Sequence, residues 1–237
     1  MNPIRIGRFT SSEIHNLMAN GRGKDSVGAP FFNYVKRKRQ ERKMGCSFGS
    51  NDSGKATKWG SFVEWWLMYK KPDILGLEYT LTPSTTIAHK DYTDYWAGSR
   101  DGLNNLTQAV IDLKCPWTRE SFADFADCQT IDEVRENHRD GDKYYWQLVS
   151  NACIAGVDNA ELVIFLPNEE QVALIQHSAI HGDHGLDAFF IGNANEGDLP
   201  YNPKQSQYQS LIKFCFTIPQ SDKIALIERV KKAIELL

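Results

Sequence analysis

Two acidic residues and a lysine in the middle of the chain are the residues best suited to chemistry. Asp101 stands in a Ser-Arg-Asp-Gly-Leu segment typical of a turn, and Asp112 and Lys114 follow in an apolar stretch. Side chains alternate faces along a strand, so Asp112 and Lys114 project together while Ile111 and Leu113 can enter a core. Two carboxylates and an ammonium converging on one spot are costly unless a cation binds there. The pattern predicts metal-dependent phosphodiester hydrolysis.

That chemistry needs an activated water and stabilisation of charge on the phosphoryl and leaving oxygens, and divalent metals supply both. Hard oxygen ligands favour Mg²⁺, with Mn²⁺ as a substitute. We expect Asp101 and Asp112 to hold one or two ions, with the backbone carbonyl of Leu113 as a further ligand. Lys114 is expected to orient the attacking water or to stabilise the developing negative charge.

Two polar residues in apolar helical stretches are further candidates. Glu64 is flanked by bulky apolar residues, so it is either paired in the interior or aimed at a cleft, and an exposed helix position is the alternative. Gln147 follows three aromatic residues. Its amide could hold a water or a scissile phosphate through donor and acceptor together, or it could be a satisfied structural amide.

Charge is unevenly distributed along the chain. The net charge of −3 does not indicate a nucleic-acid binder, but residues 36–43 carry six bases and one acid. A solvated helix face is one interpretation. Beside a phosphodiesterase site, a surface that tracks phosphates is the better one. The residues proposed for it are Lys36, Arg37, Lys38 and Arg39.

Composition is that of an ordinary soluble globular protein. The chain has 237 residues, 41% of them hydrophobic and 24% charged, which predicts a single domain over 1–237. No apolar run approaches the roughly 20 residues that cross a bilayer, and the N-terminus lacks the apolar region of a signal peptide. These features predict a cytoplasmic protein that does not engage membranes.

Cysteine and histidine spacing offers few metal motifs. The five cysteines contain no Cys-x-x-Cys, which argues against a zinc ribbon or a disulfide framework and favours reduced thiols. Cys115, Cys128, Cys153 and Cys215 also lack the clustered spacing of an iron–sulfur site. His177, His181 and His184 could form a zinc set on a helix, but the preceding Val172–Ile175 is predicted to be a strand, which would scatter them.

The pattern of apolar residues and turn signals predicts the elements that position these groups. Thr10 and Glu13 suggest a capping box on a helix that includes Ile14, Leu17 and Met18 and ends at 20–23. Further helices are predicted at 31–43, 59–69, 122–136, 144–154 and 221–237. Strands are predicted at 85–89, 95–99, 108–114, 160–166 and 171–177, with a turn at 104–105, a mobile loop at 46–54 and an irregular stretch at 182–203. The order indicates a mixed α/β (α+β) domain.

Several motifs, in order, resemble the lambda-exonuclease (YqaJ-type viral recombinase) family of PD-(D/E)XK nucleases. The matching segments, between Arg5 and Leu166, are Arg5-x-Gly7-x-x-Thr10-x-Ser12-Glu13, Trp59-Gly60-x-x-x-Glu64, Ser99-x-Asp101-Gly102-Leu103, Asp112-Leu113-Lys114-Cys115-Pro116, and Gln147 on a following helix. Each is weak alone, and their order and spacing carry the resemblance. It implies a restriction-endonuclease-like core, a central mixed β-sheet flanked by helices.

The resemblance also implies an activity: a divalent-metal exonuclease that degrades one strand of double-stranded DNA from its 5′ end, leaving 3′ overhangs for recombination or repair. The residues it implies are Asp101, Asp112, Glu64 and the Leu113 carbonyl for metal, Lys114 for catalysis, Gln147 to complete the site, and Arg5, Ser12 and Ser99 for the 5′-terminal phosphate. Ser12, in the first turn of the predicted helix, would have free amides beside it, which attract anions. Arg5 could make a bidentate phosphate contact.

The resemblance extends to a phage or prophage origin in a bacterial cell and a single-strand annealing protein as partner. The family's ring-shaped trimer is an expectation from resemblance alone, because the C-terminal third lies outside the match. Two motif positions depart from the family. Arg100 replaces the usual proline and could contact a phosphate directly, and Asp112 replaces a glutamate, which leaves the metal preference open. A restriction-like endonuclease of the same fold and a non-catalytic DNA-binding module are the alternative functions.

Overall fold

The computed structural model describes residues 3–23, 26–48, 54–76, 78–82, 85–182, 184–195 and 197–237. The α-helices are α1 His15–Met18, α2 Ala29–Met44, α3 Lys55–Lys70, α4 Arg119–Ala126, α5 Ile131–Asn137, α6 Gly141–Ala155, α7 Glu169–His181, α8 Phe189–Gly192 and α9 Gln220–Ile234. The strands are β1 Phe9–Thr10, β2 Tyr79–Leu81, β3 Ile87–Ala88, β4 Trp96–Gly98, β5 Gly102–Asn104, β6 Ala109–Lys114, β7 Asn159–Phe165 and β8 Leu211–Thr217. Helices dominate by length, and the strands form two sheets.

The larger sheet carries the candidate chemistry. Its five strands lie in the order β2-β5-β6-β7-β8. β6 and β7 are parallel, with Asp112 opposite Leu162, whereas the other neighbours are antiparallel. A parallel pair needs a long crossover connection, and α4, α5 and α6 supply it. The sheet is mixed and flanked by helices, as predicted.

Alternation along the central strands sends side chains into two cores. Val110 and Leu162 pack on one face with residues of α6 and α9. Leu113 and Val163 pack on the other face with α3 and α7. Asp112 has the same parity as Val110, so its side chain faces α6. The predicted alternation of β6 is confirmed, but both faces are covered by helices, and the buried Asp112 shares its face with core residues.

The smaller sheet, in the order β1-β4-β3, ties the N-terminal arm to the rest of the molecule. β1 runs parallel to β4, with Thr10 opposite Ala97. Gly98 on β4 allows close approach, because a Cβ there would lie 2.1 Å from Ser11 Oγ. Ser150 of α6 bonds Ser11 Oγ and Trp96 Nε1, each at 2.8 Å, so arm, sheet and helix meet at one buried hydroxyl.

Most long helices and the two central strands agree with the sequence-based predictions, but the strand predicted at 171–177 is wrong. These residues belong to α7, whose capping box joins Asn168 and Gln171. The short apolar run Val172–Ile175 fits either period, and the capping signal upstream decides in favour of a helix.

The capping box predicted at Thr10 is also wrong. Thr10 makes no side-chain cap bond; a 3₁₀ turn at Ser11–Glu13 leads into the four-residue α1. The Glu13 carboxylate is instead paired with Arg37. Ser12 therefore does not lie at the N-terminus of a regular helix.

The remaining differences concern short or exposed elements. The helix predicted at 122–136 is two helices, α4 and α5, each capped by a threonine side chain. β2, β5 and β8 were not predicted, and the turn before β6 begins at Asn105 rather than Asn104. The stretch at 182–203 contains α8. Of the predicted loop at 46–54, residues 49–53 lie outside the described residues. Within the described chain, no helix has the length and apolar character to span a bilayer.

Candidate active site

Asp112 and Lys114 meet on one face of β6, as the strand period requires. Lys114 Nζ lies 2.7 Å from Asp112 Oδ2 and donates to the Leu113 carbonyl at 3.2 Å. The Asp112 side chain is 2% exposed, whereas the Lys114 side chain is 20% exposed. The ammonium thus stands at the end of the strand, between the buried carboxylate and solvent.

Gln147 approaches Asp112 from α6. Its Nε2 donates to Asp112 Oδ1 at 2.5 Å. The same helix face carries Ser150 and Asn151, one turn further along, and Asn151 Nδ2 donates to the Ser99 carbonyl at 3.2 Å. One face of α6 therefore connects the carboxylates to the segment before Asp101. The sequence analysis did not identify Ser150 and Asn151, although their i+3 and i+4 spacing from Gln147 places them on the same helix face.

Asp101 and Glu64 complete the acidic set. Asp101 Oδ2 accepts the Leu113 N–H at 2.7 Å, which fixes the bend before β5 against β6. Glu64, on α3, lines a cleft of about 390 Å³ together with Asp101 and the aromatic residues Trp65 and Tyr69. The cleft opens beside the acids, so Glu64 is aimed at it rather than at bulk solvent.

Burial and mutual repulsion perturb these acids. Burial, with repulsion from Asp101 and Asp112, raises the pKa of Glu64 to about 8. Burial and the neighbouring Asp112 raise the pKa of Asp101 to about 6. Burial likewise raises the pKa of Asp112, although Lys114 opposes it. Burial alone would lower the pKa of Lys114, but attraction to the three carboxyl groups outweighs it and raises that pKa.

The donor set fits a hard divalent cation in its chemistry. Asp112 Oδ2 is buried and, apart from its ion pair with Lys114, has no hydrogen-bond partner among the described residues. The raised carboxyl pKa values mark a place where added positive charge is favourable. The described residues contain no preassembled group of three or more Asp, Glu, His or Cys ligands.

No protein-family model matches this sequence, and no curated protein gives a significant match. Solved structures do match. An alkaline exonuclease from Laribacter hongkongensis superposes with a TM-score of 0.61 at 15% identity, over 98% of this chain and 89% of that one. The chain has the fold of an exonuclease.

Two further exonuclease structures agree with this. The Laribacter enzyme in complex with dAMP gives a TM-score of 0.59 at 16% identity, over 99% of this chain and 90% of that one. A phage-related exonuclease from Haemophilus somnus 129PT gives 0.60 at 14% identity, over 97% and 91% of the two chains. The predicted resemblance to exonucleases is confirmed in the fold.

In this exonuclease fold, the residues predicted to bind the 5′-phosphate lie at a common edge. Thr10 and Ala97 are partners in the parallel β1–β4 pair, so Ser12 and Ser99 follow their strands at the same end. Arg5 reaches Ser12 Oγ at 3.1 Å. Ser99 Oγ lies 2.9 Å from Thr86 Oγ1.

Arg100 follows this edge and precedes Asp101. Its Nε is buried and has no hydrogen-bond partner among the described residues. The carbonyl of the same residue accepts a hydrogen bond from Thr82 at 3.3 Å. An unused donor beside the candidate phosphate edge is compatible with the predicted phosphate contact.

The basic segment on α2 is divided by burial, and the prediction for Lys38 is corrected. Lys38 is 3% exposed, and its ammonium bonds Glu41, so it does not face a DNA backbone. Arg37 is paired with Glu13, which reduces its free charge. Lys36 and Arg39 are exposed and remain candidates for phosphate contact. The helical period turns part of the basic run inward, which a linear count of charges does not reveal.

Histidines and cysteines add no further metal set in the described chain. Because 169–181 is a helix, His177 and His181 are one turn apart with ring centroids separated by 4.7 Å. His184 instead packs edge-on against Phe62 and Trp65. All five cysteines are free thiols, two of them buried. Burial raises the pKa of Cys115, next to the candidate site, which keeps it protonated.

Proposed function

We propose that this protein is a divalent-metal-dependent exonuclease that hydrolyses double-stranded DNA from the 5′ end and leaves 3′ single-stranded overhangs. The observation that carries the proposal is the Asp112–Lys114 pair at the end of β6, with the Asp101 carboxylate bonded to the Leu113 N–H between them, in a fold shared with exonucleases. Ends of double-stranded DNA are the proposed partner.

The chain's own residues have distinct proposed roles. Lys114, held protonated by the surrounding acids, neutralises negative charge that develops on the scissile phosphate. Gln147 fixes the orientation of Asp112 through the 2.5 Å hydrogen bond. Glu64 faces the cleft beside Asp101, and with a pKa of about 8 it must release its proton before its carboxylate can bind a cation.

Asp101, Asp112, Glu64 and the Leu113 carbonyl are the proposed metal ligands, and Mg²⁺ or Mn²⁺ suits these oxygen donors. A bound divalent cation supplies an activated water and neutralises phosphoryl charge. The Leu113 carbonyl accepts from Lys114 at 3.2 Å, and its second lone pair is the one proposed for the cation.

The proposed direction of digestion, from the 5′ end, is based on the pair formed by Arg5 and Ser12. Their side chains meet at 3.1 Å near the edge that carries Ser99, and together they offer donors to a terminal phosphate. A phosphate bound there would place the first phosphodiester of that strand towards Asp112 and Lys114. This arrangement supports removal of nucleotides from a 5′-phosphorylated end.

Digestion of linear duplexes labelled at the 5′ or the 3′ end, with Mg²⁺ or with a chelator, tests the proposal. We expect immediate release of 5′ label, retention of 3′ label on a shortened strand, and no digestion with chelator. Covalently closed circular DNA is the control and should stay intact. Nicked circles would identify an endonuclease, and no digestion with either Mg²⁺ or Mn²⁺ would indicate a non-catalytic DNA-binding module.

A further inference from the structure

The single acid in the basic segment of α2 is in the protein interior. Glu41 is 1% exposed and Lys38 is 3% exposed, and Lys38 Nζ donates to Glu41 Oε2 at 2.9 Å. A buried ion pair adds little stability compared with apolar residues of the same size. The role of the Glu41 carboxylate is therefore indicated by the other groups that it binds.

Glu41 and Arg42 hold one residue of the N-terminal arm, Gly7, from both sides. Glu41 Oε2 accepts the Gly7 N–H at 3.0 Å, and Arg42 Nε donates to the Gly7 carbonyl at 2.8 Å. Gly7 has φ +65, and a Cβ there would lie 2.4 Å from Arg42 Cγ, so a side chain does not fit. The second oxygen, Glu41 Oε1, accepts the Phe48 N–H at 3.2 Å. The backbone of the arm is thus fixed at Gly7.

The same helix holds the arm at a second point. The Thr10 N–H donates to the Tyr34 hydroxyl at 2.8 Å. Arg5 and Ser12 lie just outside these two anchors, on opposite sides of them. A tight turn in which Arg8 N–H donates to the Arg5 carbonyl at 3.3 Å connects Arg5 to Gly7. The separation of the Arg5 and Ser12 side chains therefore depends on where α2 holds Gly7.

We propose that Glu41 is a positioning residue for recognition of the 5′-terminal phosphate. Its buried carboxylate holds the Gly7 peptide so that Arg5 and Ser12 present their donors to one phosphate. This inference rests on the proposed function. A positioning role for Glu41 differs from a purely structural one, because loss of a structural residue would weaken digestion of phosphorylated and hydroxyl ends alike.

Steady-state kinetics on duplexes with 5′-phosphate or 5′-hydroxyl ends test it. Glu41→Gln keeps the shape but loses the charge, and Glu41→Gln combined with Lys38→Met also removes the stranded ammonium. For both variants we expect KM for phosphorylated ends to rise about tenfold, kcat to stay within about twofold, and KM for hydroxyl ends to be unchanged. Amide hydrogen exchange at Gly7 should become faster.

The matched control is Lys223→Met on α9, which removes another buried lysine, whose ammonium lies 2.5 Å from the exposed carboxylate of Asp158. It should lower stability without changing end preference. A folded double variant that keeps the wild-type preference, or an equal rise of KM for both ends, would overturn the inference. If the wild-type protein digests no DNA with Mg²⁺, the proposed function itself fails, and this is seen before any variant is made. A wild type that digests both ends equally overturns this inference and leaves the nuclease activity standing.

Discussion

Replacing Lys114 by methionine should destabilise the metal-free protein in a pH-dependent way and abolish most activity. The Lys114 ammonium is attracted to the carboxyl groups of Asp112, Glu64 and Asp101. Methionine keeps the aliphatic stem but leaves these carboxyl groups to repel one another. They can relieve the repulsion only by binding protons, which requires low pH.

The size of the effect follows from the geometry. At 2.7 Å and an effective dielectric constant near 20, the attraction between Asp112 and Lys114 is about 6 kcal/mol. Desolvation offsets part of this, and removal of one partner from a buried pair typically costs about 3–5 kcal/mol. Because the Lys114 side chain is 20% exposed, we expect the lower end, about 3 kcal/mol at pH 9.

The pH dependence has a definite sign. The folded-state pKa values of Glu64 and Asp101, about 8 and about 6, lie above the ordinary carboxyl values, so the folded protein binds these protons more tightly than the unfolded chain. Their contribution to stability is present at low pH and is lost as pH rises through about 6 and about 8. At pH 5 both groups are protonated, and without Lys114 burial raises the pKa of Asp112 further, so that it too can bind a proton; the loss on Lys114→Met should therefore fall to about 1 kcal/mol.

Urea unfolding in the presence of a chelator, followed by tryptophan fluorescence at pH 5, 7 and 9, measures this difference. Lys213→Met is the control, because Lys213 pairs with Glu78 at 3.3 Å with both side chains partly exposed. It should cost less than about 1 kcal/mol at every pH. An equal loss for Lys114→Met at pH 5 and pH 9 would refute the reasoning. The rate of DNA digestion by the Lys114→Met variant should be lower than that of the wild type by a factor of about 10²–10³.

Three other predictions concern the same surface. Asp112→Asn should abolish cleavage but retain DNA binding in a mobility-shift assay, and loss of both would contradict its proposed role. Arg5→Ala should remove the preference for 5′-phosphorylated ends in a competition digest, and an unchanged preference would exclude Arg5 from the pocket. Divalent-cation affinity should rise as pH passes the pKa values of Asp101 and Glu64, about 6 and about 8, because both groups must lose their protons to bind the cation. Calorimetry in buffers of different ionisation enthalpy would detect the released protons. A cation affinity that does not change with pH would argue against these ligands.

The part of the site on β6 was predictable because the strand period alone places Asp112 and Lys114 together. On that shared face the ammonium of Lys114 lies 2.7 Å from the Asp112 carboxylate. The fold was predictable where patterns were long, as in α2, α3 and α6. The apolar context of Glu64 and Gln147 made them candidates, and the resemblance connected them to the strand.

Other features depend on tertiary contacts that the sequence does not display. Glu13 fits a capping box, but Arg37 on α2 takes its carboxylate instead. β8 shows mixed exposure along its length, so its apolar period is weak. The inward turn of Lys38 and Glu41 depends on the N-terminal arm, which is more than thirty positions away in sequence. Local propensity yields to these longer-range interactions.

The parallel pairing of β6 with β7 has a consequence for how the protein acquires activity. Asp112 lies before the crossover and Gln147 lies within it, so their contact forms only after the intervening chain has docked on the sheet. Non-local pairings of this kind form late in folding. A nascent or misfolded chain therefore lacks the contact between Gln147 and Asp112, and any activity that depends on this contact begins only after α6 has been synthesised and has docked on the sheet.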